Sequence, residues 1–148
     1  METEEIAERR SYGDIGLAVK KSPPVISVII VNFNGGPLLG EAVRSVLSSA
    51  IPVEVFVSDN GSTDGSLPSL RGLVGMDTRL QIIENRNNLG FARASNIALK
   101  RARGEYVLLL NPDAVIKPDT LARMRVTLAA YPEAGVAGCL LRNADGTE

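Results

Sequence analysis

The sequence predicts an α/β fold in which a mostly parallel, doubly wound sheet carries helices on both faces. Short apolar, β-branched runs alternate with longer stretches whose apolar residues recur at helical spacing. Proline, glycine and asparagine residues occupy the short links between these runs. Strands that alternate with helices across short links are typical of a parallel sheet built from crossover units.

The first half of the chain predicts two strands and two helices. Residues 25–31 form an almost continuous β-branched run, as expected of a strand that is covered on both faces. Pro37 suits the first position of a helix, and an apolar stripe at helical spacing then continues to Ala50. A second strand is predicted at residues 53–57, and a weaker helix at residues 66–74.

The second half continues the same alternation. Residues 80–83 predict a short third strand, and residues 91–102 carry the next helical stripe, with Gly104 placed to cap its end. Residues 106–110 predict a fourth strand, and we expect the leucines of this run to be buried.

The last predicted elements are a helix and a strand. Pro118 opens the helix and Pro132 stops it. The apolar run 136–141 predicts a final strand. Within this run we expect Cys139 to be a small buried side chain rather than a nucleophile.

Composition excludes several classes of function. A chain of 148 residues predicts one domain or part of one. A net charge of −1 provides no basic field for nucleic acid, so no nucleic-acid partner is expected. The chain has no histidine, which excludes Ser-His and Cys-His catalytic pairs and the usual zinc ligand.

The chain divides into a polar N-terminal arm, residues 1–22, and a domain at residues 23–148 that begins at two prolines. The acidic start of the arm differs from a signal peptide, and no apolar run is long enough to span a bilayer. We therefore predict a cytoplasmic location and leave peripheral association with a membrane open.

Polar clusters directly follow three of the predicted strands, at residues 32–34, 59–64 and 111–113. In an open α/β sheet, ligands bind just beyond the carboxyl ends of the strands. Three polar tips at such ends therefore predict one shared pocket. Because the tips supply acceptors and carboxylates, the pocket suits a nucleotide together with a divalent cation.

Two carboxylates have both a functional and a structural interpretation. Asp59 precedes its loop, so its carboxylate can accept the ring N–H of a pyrimidine base, whereas Asp64 suits helix capping. Asn111 and Asp113 are spaced to point to one side and hold Mg²⁺ or Mn²⁺. The alternative for this pair is an Asn-Pro-Asp turn without a ligand.

An aromatic residue and a predicted helix start complete the candidate site. Phe33 either offers an aromatic face to a base or belongs to the core. Residues 88–90 precede a helix whose free amides favour an anion such as a diphosphate. Arg86 and Arg93 either assist that binding or form a solvated basic surface.

The order of these motifs resembles the family 2 glycosyltransferases, which have the glycosyltransferase A fold. The resemblance covers about residues 25–141 and is carried by four stretches. They are VIIVNFN at 28–34, VSDNGSTD at 57–64, NLGFARASN at 88–96 and GEYVLLLNPD at 104–113. The Leu-Asn-Pro-Asp form is most similar to the rhamnosyl- and galactofuranosyl-type branch.

The resemblance implies transfer of a sugar from a UDP- or dTDP-linked donor to a hydroxyl of a carbohydrate or lipid-linked acceptor, in polysaccharide, glycolipid or cell-wall synthesis. It implies that Phe33 and Asp59 hold the base and that Asp113 binds the Mg²⁺ or Mn²⁺ that bridges the diphosphate. Asn96 would support the loop or the sugar. The other residues that we assign to donor binding are Asn32, Asn34, Asn60, Gly90, Arg93 and Asn111.

The sequence departs from the family pattern at three of these positions. Phe33 stands where many members carry tyrosine, and Asn60 stands where a second aspartate is common. Asn111 replaces the first aspartate of the Asp-x-Asp motif, so we expect a weaker metal site. Inverting members take their catalytic base from a segment well beyond this motif. We therefore expect the base beyond Glu148, and little or no activity from this donor-binding part alone.

Two other functions remain open at this stage. Asp113 and Lys117 suggest a receiver-like signalling domain, although Asn32 and Asn34 stand where a receiver needs paired acids. A catalytically inactive glycosyltransferase fold that serves as a protein interaction module is the second alternative.

Overall fold

The computed structural model describes residues 24–143 and 145–147, so the predicted N-terminal arm lies outside the described residues. Four strands and four helices alternate along the described chain. In order they are β1 (Ile26–Asn32), α1 (Leu38–Leu47), β2 (Val53–Asp59), α2 (Ser66–Val74), β3 (Leu80–Glu84), α3 (Phe91–Leu99), β4 (Tyr106–Leu110) and α4 (Thr120–Ala130).

The strands form one parallel sheet with the order β3-β2-β1-β4. Asn32 at the end of β1 lies opposite Asp59 at the end of β2, and Ile30 lies opposite Leu110 at the end of β4. Because parallel strands end at the same edge of a sheet, this register brings the three polar clusters to one edge.

Helices cover both faces of the sheet, so the predicted doubly wound α/β fold is confirmed. On one face, Val28 and Ile30 of β1 belong to a core that also contains buried residues of α1, α2 and α4. On the other face, Ile29 and Phe56 pack with Ala98 of α3. Such burial from both sides explains the unbroken apolar runs of β1 and β2.

The predicted strand at residues 136–141 is wrong. This segment has no regular structure, and Val136, Leu140 and Leu141 are exposed. Cys139 is also exposed, contrary to expectation, and its Sγ lies 3.3 Å from Sδ of Met124. A short apolar run becomes a strand only where a neighbouring strand pairs with it, and the described part of the sheet provides no partner for this run.

β4 is an edge strand of the described sheet, and its apolar side chains are only partly covered. Leu109 is 52% exposed and Val107 is 43% exposed, so the expected burial of every leucine in this run is wrong. Both share a sheet face with α3, which packs over β1 and β2. An apolar groove of about 570 Å³ follows this edge.

An ion pair between the buried Glu54 and the exposed side chain of Arg103 fixes the opposite edge of the sheet, where the strands begin. The Glu54 side chain, only 5% exposed, accepts hydrogen bonds from the Ser27 hydroxyl (2.7 Å), the Arg103 amide (2.7 Å) and the Arg103 guanidinium (2.8 Å). Burial alone would raise the pKa of Glu54, but the hydrogen bonds from Ser27 and Arg103 hold it below its usual value. Among the described residues, no helix is long and apolar enough to cross a membrane.

Candidate functional site

Asn32 joins the end of β1 to the loop after β2. Its side chain is fully buried, and its Nδ2 lies 2.7 Å from Oδ1 of Asp59 and 3.0 Å from the hydroxyls of Ser62 and Ser66. Its Oδ1 accepts a hydrogen bond from the amide of Gly35. The amide group therefore ties the first two polar clusters together from inside the protein.

Asp59 is also turned inward and is only 2% exposed. One carboxylate oxygen accepts hydrogen bonds from Asn32 (2.7 Å) and the Ser62 hydroxyl (2.6 Å). The other oxygen accepts from the backbone amides of Gly61 (3.0 Å) and Ser62 (2.9 Å). Asp59 thus orders its own loop, and its predicted contact with a base stays a prediction.

Asp64 has the structural role that we expected. Its carboxylate accepts hydrogen bonds from the amide of Ser66, the first residue of α2, and from the amide of Gly36. The hydrogen bonds from Ser66, with a further one from Gly36, lower the pKa of Asp64. This carboxylate therefore fastens the loop after β1 to the start of α2.

The third cluster lies next to the first where the Pro112 side chain approaches Gly35. A Cβ atom added at Gly35 would lie 3.4 Å from Cβ of Pro112 and 2.5 Å from Oδ1 of Asn32. Only glycine fits there without a shift of its neighbours. The turn that carries Asn111 and Asp113 therefore lies against the loop that carries Phe33.

Phe33, Asn34, Asn111 and Asp113 are among the residues at this edge that are exposed to solvent. Phe33 is 51% exposed, so it is not a core residue. Asn34 adopts a positive φ of 55°, which asparagine tolerates, and its Oδ1 accepts a hydrogen bond from the amide of Thr63. Within the described part of the chain, neither Asn111 nor Asp113 uses its side chain in a hydrogen bond.

The start of α3 lies at the same edge because α3 follows the carboxyl end of β3. Gly90 precedes this helix with a φ of 76°, and no side chain caps the first turn. The first amides of a helix have no partner inside it, so they face outward. Arg93 and Asn96, both exposed, stand on the first turns of this helix.

Asn60, another predicted donor-binding residue, is only 2% exposed and points toward the loop before α3. Its Oδ1 lies 3.1 Å from Nδ2 of Asn85 and 3.4 Å from the amide of Leu89. Its Nδ2 donates to Oδ1 of Asn88 at 3.2 Å. These contacts link the ends of β2 and β3.

The predicted residues thus fall into two groups. Asn32, Asp59 and Asn60 are buried and bonded to other protein groups, whereas the other members are exposed, and Asn96 among them also lines the groove along β4. Sequence reasoning missed Ser62, Asn85 and Asn88 as partners of the buried group. The only feature of the sequence that could have identified these partners is the high content of polar residues in both loops.

The candidate metal ligands fit a cation held partly by its substrate. No group of three or more acidic or cysteine side chains that could hold a metal exists among residues 24–143 and 145–147. Asp113 nonetheless presents a free carboxylate two residues from the Asn111 amide. One or two protein oxygens together with substrate phosphates are a usual magnesium environment, so these residues fit a metal that arrives with a diphosphate.

Comparison with known proteins identifies the family of this chain. A model of glycosyl transferase family 2 matches residues 27–148. The putative teichuronic acid biosynthesis glycosyltransferase TuaG of Bacillus subtilis is 36% identical over 101 residues, which are 68% of this chain and 40% of TuaG. The chain spans between 32% and 40% of the length of three curated relatives.

Two solved glycosyltransferase structures are similar to this chain in both sequence and fold. The mannosyltransferase PcManGT of Pyrobaculum calidifontis, in complex with GDP-Man and Mn²⁺, matches with a TM-score of 0.73 and 32% identity over 82% of this chain and 37% of that one. TarS 1-349 of S. aureus, in complex with UDP-GlcNAc, matches with a TM-score of 0.65 and 26% identity, over 80% and 37% respectively. The fold is therefore the glycosyltransferase A fold, and the chain belongs to glycosyl transferase family 2.

Proposed function

We propose that the chain is the donor-binding part of an inverting, metal-dependent family 2 glycosyltransferase. In this proposal it binds a UDP- or dTDP-sugar with Mg²⁺ or Mn²⁺ for transfer to a hydroxyl acceptor. The observation that carries the proposal is the junction of three strand ends. Asn32 bonds Asp59 at 2.7 Å, while Gly35 approaches Pro112, so Phe33 and Asp113 open onto one edge of the sheet.

Each exposed group at this edge has a proposed task. Phe33 stacks against the base, and the uncapped first turn of α3, with Arg93, receives the diphosphate. Asn34 and Asn96 contact the nucleoside or the sugar. Gly90 lets the chain turn closely into the helix at its positive φ.

Asp113, with the neutral Asn111, would hold the cation against the diphosphate. When bound, such a cation acts as a Lewis acid that offsets the charge of the departing nucleoside diphosphate. Asn111 adds an oxygen ligand without a charge, so the diphosphate supplies more of the binding than it would beside two carboxylates. The expectation that the catalytic base lies beyond Glu148 stays a prediction.

The donor and the biological role are the finer parts of the proposal. PcManGT was solved with GDP-Man and TarS with UDP-GlcNAc, so relatives accept both purine and pyrimidine donors. We favour UDP or dTDP because of the resemblance to the rhamnosyl- and galactofuranosyl-type branch. A role in polysaccharide or glycolipid synthesis fits the name of TuaG, a putative teichuronic acid biosynthesis glycosyltransferase. A location at the cytoplasmic face of a membrane stays a prediction.

The receiver-like alternative is no longer supported, because the chain belongs to a transferase family and the last residue of β1, Asn32, is a buried asparagine. The inactive interaction module remains the second candidate. The exposed apolar side chains of β4 favour it, since they offer a surface for protein contact. Absence of nucleotide binding is the result that this second candidate requires.

Calorimetry with the 148-residue protein tests the proposal. UDP, dTDP and GDP are titrated with Mn²⁺, with Mg²⁺ and with a chelator. We expect metal-dependent binding of UDP or dTDP, and the variant Asp113→Asn should weaken it by at least about tenfold, or about 1.4 kcal/mol. The matched control is Asp119→Asn, an exposed acid whose ion pair is with Arg123.

Two results would contradict the proposal. The first is no binding of any of the three nucleotides with either metal. The second is equal affinity of the Asp113→Asn and Asp119→Asn variants for the metal-bound nucleotide. Preference for GDP over UDP and dTDP would overturn the choice of base while leaving the metal site in place.

A further inference from the structure

Three asparagine side chains connect the end of β2 with the start of α3, and we call them the asparagine clasp: Asn60, Asn85 and Asn88. Asn85 donates from Nδ2 to Oδ1 of Asn60 at 3.1 Å. Asn60 donates from Nδ2 to Oδ1 of Asn88 at 3.2 Å, and that oxygen also accepts the amide of Gly90 at 2.9 Å. The connection therefore runs unbroken from β2 to the residue before α3.

Further contacts hold the clasp in place. Asn85 also donates from Nδ2 to the hydroxyl of Ser58 at 3.0 Å, and its backbone amide bonds the carbonyl of Asp59 at 2.7 Å. Gly61 lies against the carbonyl of Arg86, because a Cβ atom added at Gly61 would lie 3.5 Å from that oxygen. The loop before α3 is thus fastened along the end of β2.

The burial of Asn60 decides whether its side chain contacts a ligand or positions the loop before α3. With only 2% of the residue exposed, and with Oδ1 and Nδ2 each bonded to another protein group, the Asn60 side chain is not accessible to a ligand. A buried amide whose oxygen and nitrogen are both bonded costs free energy to reorient, because its partners would lose their hydrogen bonds. Asn60 therefore acts on the loop rather than on a bound molecule.

We propose that Asn60 is a positioning residue that acts through Asn88 to set the start of α3 for a diphosphate. This inference rests on the proposed function, in which the first turn of α3 receives the diphosphate of the donor. Asn88 has one side-chain oxygen, and it serves both Asn60 and Gly90. Release of Asn60 therefore frees Asn88 to turn away from the amide of Gly90.

The need for an amide follows from the direction of the bonds. An aspartate at position 60 could still accept from Asn85 and Leu89, but it could not donate to Asn88. The substitution Asn60→Asp thus breaks one bond of the clasp and keeps the others. Asn88→Ala removes the same bond from the other side and also removes the bond to the Gly90 amide. Because Asn88 is exposed, this substitution should destabilise the fold less.

The experiment measures binding and local order in the same samples. NMR titrations with Mn²⁺-free Mg²⁺ solutions give the Kd of UDP and of uridine for wild type, Asn60→Asp, Asn88→Ala and the double variant. Solvent exchange of the Gly90 amide is measured without ligand. The matched control is Asn87→Ala, because Asn87 is exposed in the same loop and bonds no other described residue.

We expect both single variants to weaken UDP binding about tenfold and to change uridine binding less than about twofold. The double variant should be little weaker than either single one, since all three remove the same bond. Exchange of the Gly90 amide should become several-fold faster in Asn60→Asp than in Asn87→Ala. Thermal unfolding of each variant identifies any whose weaker binding results from destabilisation of the whole fold.

Several results would overturn the positioning role. Equal weakening of UDP and uridine in Asn60→Asp indicates direct contact with the base. The positioning role is also excluded if Asn60→Asp leaves UDP binding or exchange of the Gly90 amide unchanged. It is excluded as well if the control Asn87→Ala has the same effects as Asn60→Asp. If wild type binds neither UDP nor uridine while Gly90 exchange still rises in Asn60→Asp, the proposed function fails and the link from Asn60 to α3 is supported.

Discussion

The substitution Asn32→Asp tests the junction of β1 and β2 most directly. It places a second carboxylate where the Asn32 Nδ2 now lies 2.7 Å from Asp59, in a fully buried position. Two like charges about 3 Å apart repel by about 5 kcal/mol at an effective dielectric constant of about 20. Proton uptake by one aspartate of ordinary pKa costs about 4 kcal/mol at pH 7. The pair should therefore take up a proton.

The sign of the pH dependence follows from that proton. The folded variant binds it with a raised pKa and the unfolded chain does not, so the stability of the variant falls as pH rises. The cost of protonation decreases to about 1.5 kcal/mol at pH 5. A protonated carboxyl donates one hydrogen where the amide donates two, which adds about 1 kcal/mol at either pH. We expect total losses of about 5 kcal/mol at pH 7 and about 2.5 kcal/mol at pH 5.

Urea unfolding of wild type and variant at both pH values measures these losses. Asn87→Asp is the control, since its exposed side chain should change stability by less than about 0.5 kcal/mol. Asn32→Ala introduces no charge, so its loss should differ much less between the two pH values. A loss for Asn32→Asp that is the same at pH 5 and pH 7 would refute the placement of Asn32 against Asp59.

Two further predictions concern the opposite edge of the sheet. Glu54→Gln should cost about 2 kcal/mol at pH 7 by removing the charge that Arg103 pairs with. Because the pKa of Glu54 is lowered in the folded state, its stabilisation is complete above the ordinary carboxyl pKa and is lost as pH falls through the lowered value, so urea unfolding should give a smaller difference at pH 3. Gly104→Ala should cost about 1–3 kcal/mol, because the new Cβ would lie 2.5 Å from the backbone nitrogen of Ser27. Gly72→Ala, a helical position with nothing within 4 Å, should instead stabilise the protein by about 0.5–1 kcal/mol, and the opposite order of these two melting temperatures would contradict the packing at Gly104.

The fold was predictable from sequence because its main signals are local. Continuous β-branched runs identified β1 and β2, and alternation with helical stripes identified the parallel sheet. Once the strands are parallel, their carboxyl ends must share one edge. That step alone accounts for the meeting of the loops that carry Phe33, Asp59 and Asp113.

The failures have a different origin. Residues 136–141 have the composition of a strand, but pairing depends on a neighbour that a local pattern cannot reveal. Leu109 is an apolar residue in an apolar run, which predicts burial. It is nevertheless half exposed, because α3 covers β1 and β2 rather than β4. Both errors concern the edge at β4, where contacts distant in sequence decide burial.

The direction of the asparagine side chains was equally hidden, and it separates three positions that look alike in sequence. At positions 32 and 60 the residue is buried and its amide both donates and accepts, which a carboxylate cannot do. The Asn111 side chain is exposed and bonds no described residue, so in the proposed metal site an amide there would change only the charge offered to a cation. In the proposed site, the buried amides would therefore supply loop geometry without adding negative charge near a diphosphate. In that proposal, Asp113 would be the carboxylate of the third cluster that stays available to a metal.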